Sequence, residues 1–255
     1  MESANGVRRR SVPARSPGGS SHLRLGRVAV ASIILSMIAG CSSVPPETAR
    51  RPAQSEFLFR AETAINDEWQ HLELNKSTEY GIDILNGKVG IRAVGRGSAS
   101  GLIRRVGLDP FKCPSIEWSW AVKTLQESAD LRVKEGEDVA ASIFFLFGDP
   151  GFLFDPKPVP TLRYVWTNAS EMIGTVIDNP YIPGTVRSVV VRSGTGRLGQ
   201  WTAETRDLLS DYRQAFGAEP SGHVHAIILF TDNDQTNEPV EAYYGWAKAN
   251  CNAAP

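Results

Sequence analysis

The sequence predicts an all-β protein: an antiparallel β-sandwich of about ten strands with one short helix. Three observations carry that expectation. From Tyr80 onward, short runs alternate apolar and polar residues and are split by turn residues, which is the strand period. Twenty-three Gly and 16 Pro among 255 residues supply the many turns that such a fold needs. Helical and strand patterns do not alternate along the chain, which argues against a parallel α/β sheet. At 42% hydrophobic, the chain can bury one sizeable core.

The first 40 residues read as a lipoprotein signal peptide. Arg8, Arg9, Arg10, Arg15, Arg24 and Arg27 stand against the single acid Glu2, ahead of an apolar segment, Val28 to Ala39, too short to span a bilayer. Ile38-Ala39-Gly40-Cys41 resembles the bacterial lipobox, whose cysteine is diacylated and becomes the mature N-terminus. Cys41 is therefore the expected lipidation site, and acyl chains on it would anchor the protein to a membrane. An ordinary secretory signal with an incidental cysteine is the plainer alternative. Ser42 in place of an acid after Cys41 points to the outer membrane, with the protein facing the periplasm. Residues 41–56 form a Ser/Pro-rich tether, and residues 57–255 form the sandwich domain.

Phe57 to His71 reads as one short helix or an irregular segment that packs Trp69. Tyr80–Leu85 and Lys88–Val94 flank Asn86-Gly87, a two-residue hairpin signal because Asn and Gly accept positive φ. Ser98–Val106 is the next strand, ended by Asp109-Pro110. In Ser115–Thr124, Ile116, Trp118, Trp120 and Val122 share one face, which reads as core. Val139–Phe147 is apolar on both faces and should be central. Leu162–Thr167 and Val186–Ser193 follow, separated by a long loop, then Gln200–Thr205. Arg206–Phe216 has helical spacing, with Gly217 ending it. Ala226–Phe230 and Val240–Trp246 close the domain around the acidic loop Thr231 to Pro239.

Without residues 1–40, the 27 basic and 28 acidic residues lose six and one, leaving 21 against 27 and a net charge of −6. That excludes nucleic acid as an expected partner. Of three cysteines, Cys113 and Cys251 remain after Cys41, and in an oxidising compartment they would pair, closing a loop of about 140 residues. Two buried free thiols are the alternative.

Several phrases occur in order: Ser98-Ala99-Ser100-Gly101-Leu102, Glu117-Trp118-Ser119-Trp120, Asp138-Val139-Ala140-Ala141, Asn179-Pro180-Tyr181, Val191-Arg192-Ser193-Gly194, Asp211 to Gly217, and Thr231-Asp232-Asn233-Asp234 with Ala242-Tyr243-Tyr244-Gly245. Together they resemble the bacterial secreted family catalogued as domain of unknown function 3047, over roughly Phe57 to Ala249. The resemblance implies a jelly-roll, galactose-binding-like sandwich akin to carbohydrate-binding domains, and no established activity. Asn233 stands where the family phrase usually has Thr.

Asp232, Asp234, Thr236 and Glu238 fall at every second position of the acidic loop. Three readings stay open: a self-capping turn, a divalent cation site, or hydrogen bonding to a ligand. Asp232, Asp234 and Glu238 are the metal candidates, with Ca²⁺ the cofactor they would take. The EF-hand pattern fails, with Asn237 and Tyr243 where Gly and Glu are needed. Aromatic strands beside amides, acids and Arg suit a saccharide, so Asp232, Asn233, Asp234, Tyr243, Trp166 and Arg192 are the ligand-binding candidates. Tyr243 is expected to face opposite to Tyr244 and Trp246. Glu117, Glu204 and Asp232 are the candidates for an acid pair. Gly194 to Gly199 matches G-x-G-x-x-G, but the following Trp201-Thr202-Ala203-Glu204 reads as strand, so no nucleotide cofactor is expected. The leading expectation is a lipid-anchored envelope protein that binds saccharide without catalysis. The alternatives are a polysaccharide-acting hydrolase or lyase, and a structural envelope lipoprotein.

Overall fold

Period-two alternation fixes where the core lies. The computed structural model describes residues 54–63, 68–152, 155–168 and 173–252. The expected signal peptide, Cys41 and residues 41–53 of the tether lie outside the described residues. In order, the strands are β1 (Gln54–Arg60), β2 (Trp69–Asn75), β3 (Glu79–Leu85), β4 (Lys88–Gly95), β5 (Ala99–Leu108) and β6 (Ser115–Thr124). Then come β7 (Ala141–Phe147), the short β8 (Gly151–Phe152) and β9 (Asp155–Pro156), β10 (Thr161–Thr167), β11 (Val176–Asp178), β12 (Val186–Ser193) and β13 (Thr202–Asp207). Helix α1 (Leu208–Phe216), β14 (Val224–Asp232) and β15 (Val240–Cys251) complete the domain.

Thirteen of these strands form two facing sheets of a β-sandwich. The six-stranded sheet runs β13-β6-β15-β4-β3, with β1 also paired to β15; the seven-stranded sheet runs β11-β12-β10-β7-β14-β5-β2. Every pair is antiparallel except β10 with β12. Between the sheets, Trp118 stacks on Tyr164 at 5.0 Å between ring centroids, and Trp120 meets Trp166 at 6.1 Å. All four are fully buried, so the core reading of Trp118 and Trp120 holds.

Local sequence accounts for the boundaries. Asn86 and Gly87 both take positive φ (51° and 76°), as a tight hairpin turn requires. The Asp207 side chain accepts from the Ser210 amide and caps α1, and Gly217 ends it at φ 69°. That cap starts the helix at Leu208, so Arg206, expected in the helix, stays on β13 and pairs with Asp211. Cys113 and Cys251 are joined by a disulfide across 138 residues.

Three expectations are corrected. Phe57 to His71 holds the expected short helix only as a single 3-10 turn, Ala61–Thr63; the other described residues contribute parts of β1 and β2, and β1 starts at Gln54, inside the expected tether. The long loop after Thr167 carries β11, which pairs with β12. A register shift between Tyr244 and Trp246 interrupts the alternation of β15. Tyr244 faces the core, while Trp246 turns outward against Phe57, on the side that Tyr243 also faces.

Candidate functional site

The seven-stranded sheet is apolar on both faces. One face is the core; the other is the floor of an open groove of about 450 Å³. The alternation of β14 decides which residue goes where: Ile227 and Leu229 enter the core, whereas Ile228 and Phe230 face the groove. Phe144 of β7 meets Phe230 edge to face at 5.6 Å, and Leu72 and Ala99 extend this apolar surface. Gly101 opposes Phe230 across the strands, and a Cβ there would come within 2.7 Å of the Phe230 ring. The missing side chain lets the ring lie where it does.

One end of the groove is polar and built from loops. Arg163 of β10, buried, donates through Nε to Ser188 Oγ at 2.8 Å and through Nη2 to Glu137. Glu137 Oε1 also accepts from Asn179 Nδ2 at 3.0 Å. Asn179 in turn accepts from the Tyr181 and Ile182 amides at 2.9 and 3.1 Å, a side-chain turn that sets these two residues on the rim. Tyr181 and Ile182 are each 48% exposed and Leu74 is 69% exposed, so the rim is apolar surface open to solvent. Partial burial, then the carboxylates of Asp234 and Glu137, push the Tyr181 phenol up.

The acidic loop contributes the rest. Asp138, Asp232 and Asp234 offer carboxylate oxygens that all lie within 4.8 Å of one another. Asp138 accepts from the amides of Gln235 and Thr236, Asp232 Oδ1 from the Val139 amide at 2.8 Å, and Asp234 Oδ2 from Asn75 Nδ2 at 2.9 Å. Asp234 Oδ1 is buried without a partner, and no hydrogen bond reaches Asp232 Oδ2 among the described residues. Burial, then the Glu137 carboxylate, raise the Asp232 carboxyl well above the usual range, with Arg163 opposing and Asp138 adding to it. Ca²⁺ takes six to eight oxygens, waters included, so these three carboxylates would supply only part of its shell.

The candidates chosen from sequence do not all meet here. Asp232 and Asp234 line the groove. Asn233 does not: its Oδ1 accepts from the Gly97 and Ser98 amides and its Nδ2 donates to the Glu238 carbonyl, so it is spent on the turn. Glu238 is no part of the carboxylate cluster, because it caps Glu127 and Ser128; Asp138 takes its place. Trp166 is fully buried between the sheets, and Arg192 lies 5.4 Å over its ring while pairing with Glu204 at 2.6 Å. Tyr243 is on the outside of the six-stranded sheet, beside Trp201 and bonded to Glu241.

The acid pair is not assembled either. Glu117 pairs with Lys248 and Asn250, whereas Glu204 accepts from Trp120 Nε1 and pairs with Arg192. They occupy successive registers of β6 and β13 and so point to opposite faces, while Asp232 belongs to the other sheet. The residues that sequence reasoning left out of the site are Asp138, Glu137, Arg163, Phe144, Phe230, Asn179 and Tyr181. Asp138 and Asn179-Pro180-Tyr181 were present among the ordered phrases, and that co-occurrence was the available signal.

Among solved structures, the chain is similar to the family 11 carbohydrate-binding module of the cellulosomal cellulase Lic26A-Cel5E of Clostridium thermocellum. The TM-score is 0.39 at 10% identity, covering 80% of this chain and 97% of that one. It is also similar to the K1 cleaved adhesin domain of Lys-gingipain from Porphyromonas gingivalis, with TM-score 0.39 and 13% identity, covering 79% and 99%. No curated protein sequence matches. The family model described as "Protein of unknown function (DUF3047)" matches residues 67–247, nearly the whole of both sheets, and the chain belongs to that family.

Proposed function

We propose that this protein is a lipid-anchored envelope protein that binds a saccharide, without catalysis, in the groove of its seven-stranded sheet. The observation that carries the reading is the groove itself. It offers a volume of about 450 Å³, an apolar floor of Phe144, Ile228 and Phe230, exposed Tyr181 and Leu74 on its rim, and a polar end of fixed amide and carboxylate groups. Sugar rings present apolar C–H faces and hydroxyl edges, so a mostly apolar concave surface with a few oriented polar groups matches them. Anchoring through Cys41 at the outer membrane, facing the periplasm, rests on the lipobox-like tetrapeptide, and the Cys113–Cys251 disulfide suits an oxidising compartment.

The test is a glycan panel followed by titration calorimetry on the full chain purified in mild detergent. Tyr181→Ala and Leu74→Ala, both at the exposed rim, are expected to weaken the best binder by at least about tenfold. Binding to no saccharide class, or binding indifferent to both substitutions, would falsify the reading.

A further inference from the structure

We infer that the groove selects a saccharide carrying a free amine, with the ammonium seated between Asp232 and Asp234. The inference rests on the saccharide reading of the groove and adds what the ligand must carry.

Charge is the first argument. Among the described residues that line the groove, Arg163 is the one cation, and it is already committed to Glu137 and Ser188. Asp232 and Asp234 line the same groove with no guanidinium or ammonium of their own, and Asp138 lies against them. Burial and the neighbouring Glu137 and Asp138 carboxylates disfavour a charged Asp232, and a ligand ammonium at short range, where water is partly excluded, is what would stabilise its charged form.

Hydrogen-bond capacity is the second. Asp234 Oδ1 is buried and unpartnered, a costly arrangement unless a donor arrives from outside the chain. Asp232, 3% exposed, uses only Oδ1 on the Val139 amide. An ammonium donates three hydrogen bonds, so two uncommitted carboxylate oxygens and one ligand or solvent oxygen complete its shell. Ca²⁺ needs six to eight oxygens and would have to draw most of them from water or from carboxylate oxygens that already accept amide hydrogen bonds here. The Asp234 site also sits directly beside the apolar floor, since Asp234, Phe230 and Leu74 line one continuous cavity. A sugar ring over Phe230 can therefore carry its amino group to Asp234 without leaving the surface.

The test compares three tetrasaccharides by calorimetry on the full chain: β-1,4-linked glucosamine, its N-acetylated counterpart, and cellotetraose, at a pH where the amine is charged. The glucosamine tetramer is expected to bind at least about tenfold more tightly than the other two, from charge-assisted bonds. Asp234→Asn, nearly isosteric and checked for folding by circular dichroism, is expected to abolish that preference, so that the glucosamine and neutral tetramers bind alike. Tyr181→Ala should weaken all three alike. If the neutral and acetylated tetramers bind as well as the amine, this inference falls and the saccharide reading stands. If none binds, both fall. If Ca²⁺ alone binds with an affinity that Asp234→Asn removes, and no amine preference is seen, the acidic end is a metal site and the inference is overturned.

Discussion

Replacing Arg163 with methionine tests whether the polar end of the groove is held by one buried ion pair. Its side chain is 3% exposed and that of Glu137 is 8% exposed, so neither charge has water to fall back on. The substitution removes a bond to Ser188 Oγ and a charge-assisted bond to Glu137, and it leaves Glu137 with Asn179 Nδ2 as its partner. At about 1.5–3 kcal/mol per bond to a charged group, the loss is about 3–5 kcal/mol, the range for breaking a buried pair from one side. Glu137→Gln in the Arg163→Met background keeps an oxygen for Asn179 and removes the stranded charge. The double variant should therefore recover stability relative to Arg163→Met, with a coupling of about 2 kcal/mol between the sites. Urea unfolding followed by tryptophan fluorescence reads this directly, because Trp118, Trp120 and Trp166 are all fully buried. A cost below about 1 kcal/mol for Arg163→Met, or singles that simply add in the double variant, would refute the assignment of this pair as the support of the groove.

Asp232→Asn keeps the acceptor for the Val139 amide and removes a carboxyl whose folded value is raised by burial and by Glu137. A raised carboxyl contributes its stability below the unfolded value, about pH 4, and loses it as pH rises through the folded value. The melting temperature of Asp232→Asn relative to the parent should therefore climb as pH is taken from 4 upward, and a difference that stays flat over that window contradicts the burial argument. Replacing both Cys113 and Cys251 by serine opens a loop of 138 residues, worth about 5 kcal/mol in the loop-entropy model. Denaturant titration of that variant should show most of this loss; less than about 1 kcal/mol would mean that strand pairing at Ser115 and Asn250 already holds the tail.

Much of the sandwich was legible because its strands are amphipathic in period two. Ser115–Thr124 was assigned with its core face, and Asn86-Gly87 located its hairpin, since both signals are local. β1 and β2 were missed because most of their side chains are exposed and their strand character comes from pairing with β15 and β5, far away in the chain. Trp246 was placed on the wrong face because the alternation was carried through Gly245, where the register shifts and where a lone strand glycine is itself a bulge signal. In the site, the oxygen-rich turn was visible but its third carboxylate was not, because Asp138 arrives from another loop. The floor was hidden for a different reason. A strand such as Ala226–Phe230, apolar on both sides, looks the same whether its second face meets another layer or lines an open groove.

β15 has a consequence for how the domain matures. This twelve-residue strand is the last among the described residues, yet it lies inside the six-stranded sheet, with β6 on one edge and β4 and β1 sharing the other. Until it emerges, whether from a ribosome or from a translocation channel, β1 has no partner and β4 and β6 each keep a bare edge. The sheet therefore closes only once β15 has emerged and can pair with β1, β4 and β6. A chain clipped before Val240 would be left with unpaired β4 and β6 edges and no disulfide partner for Cys113.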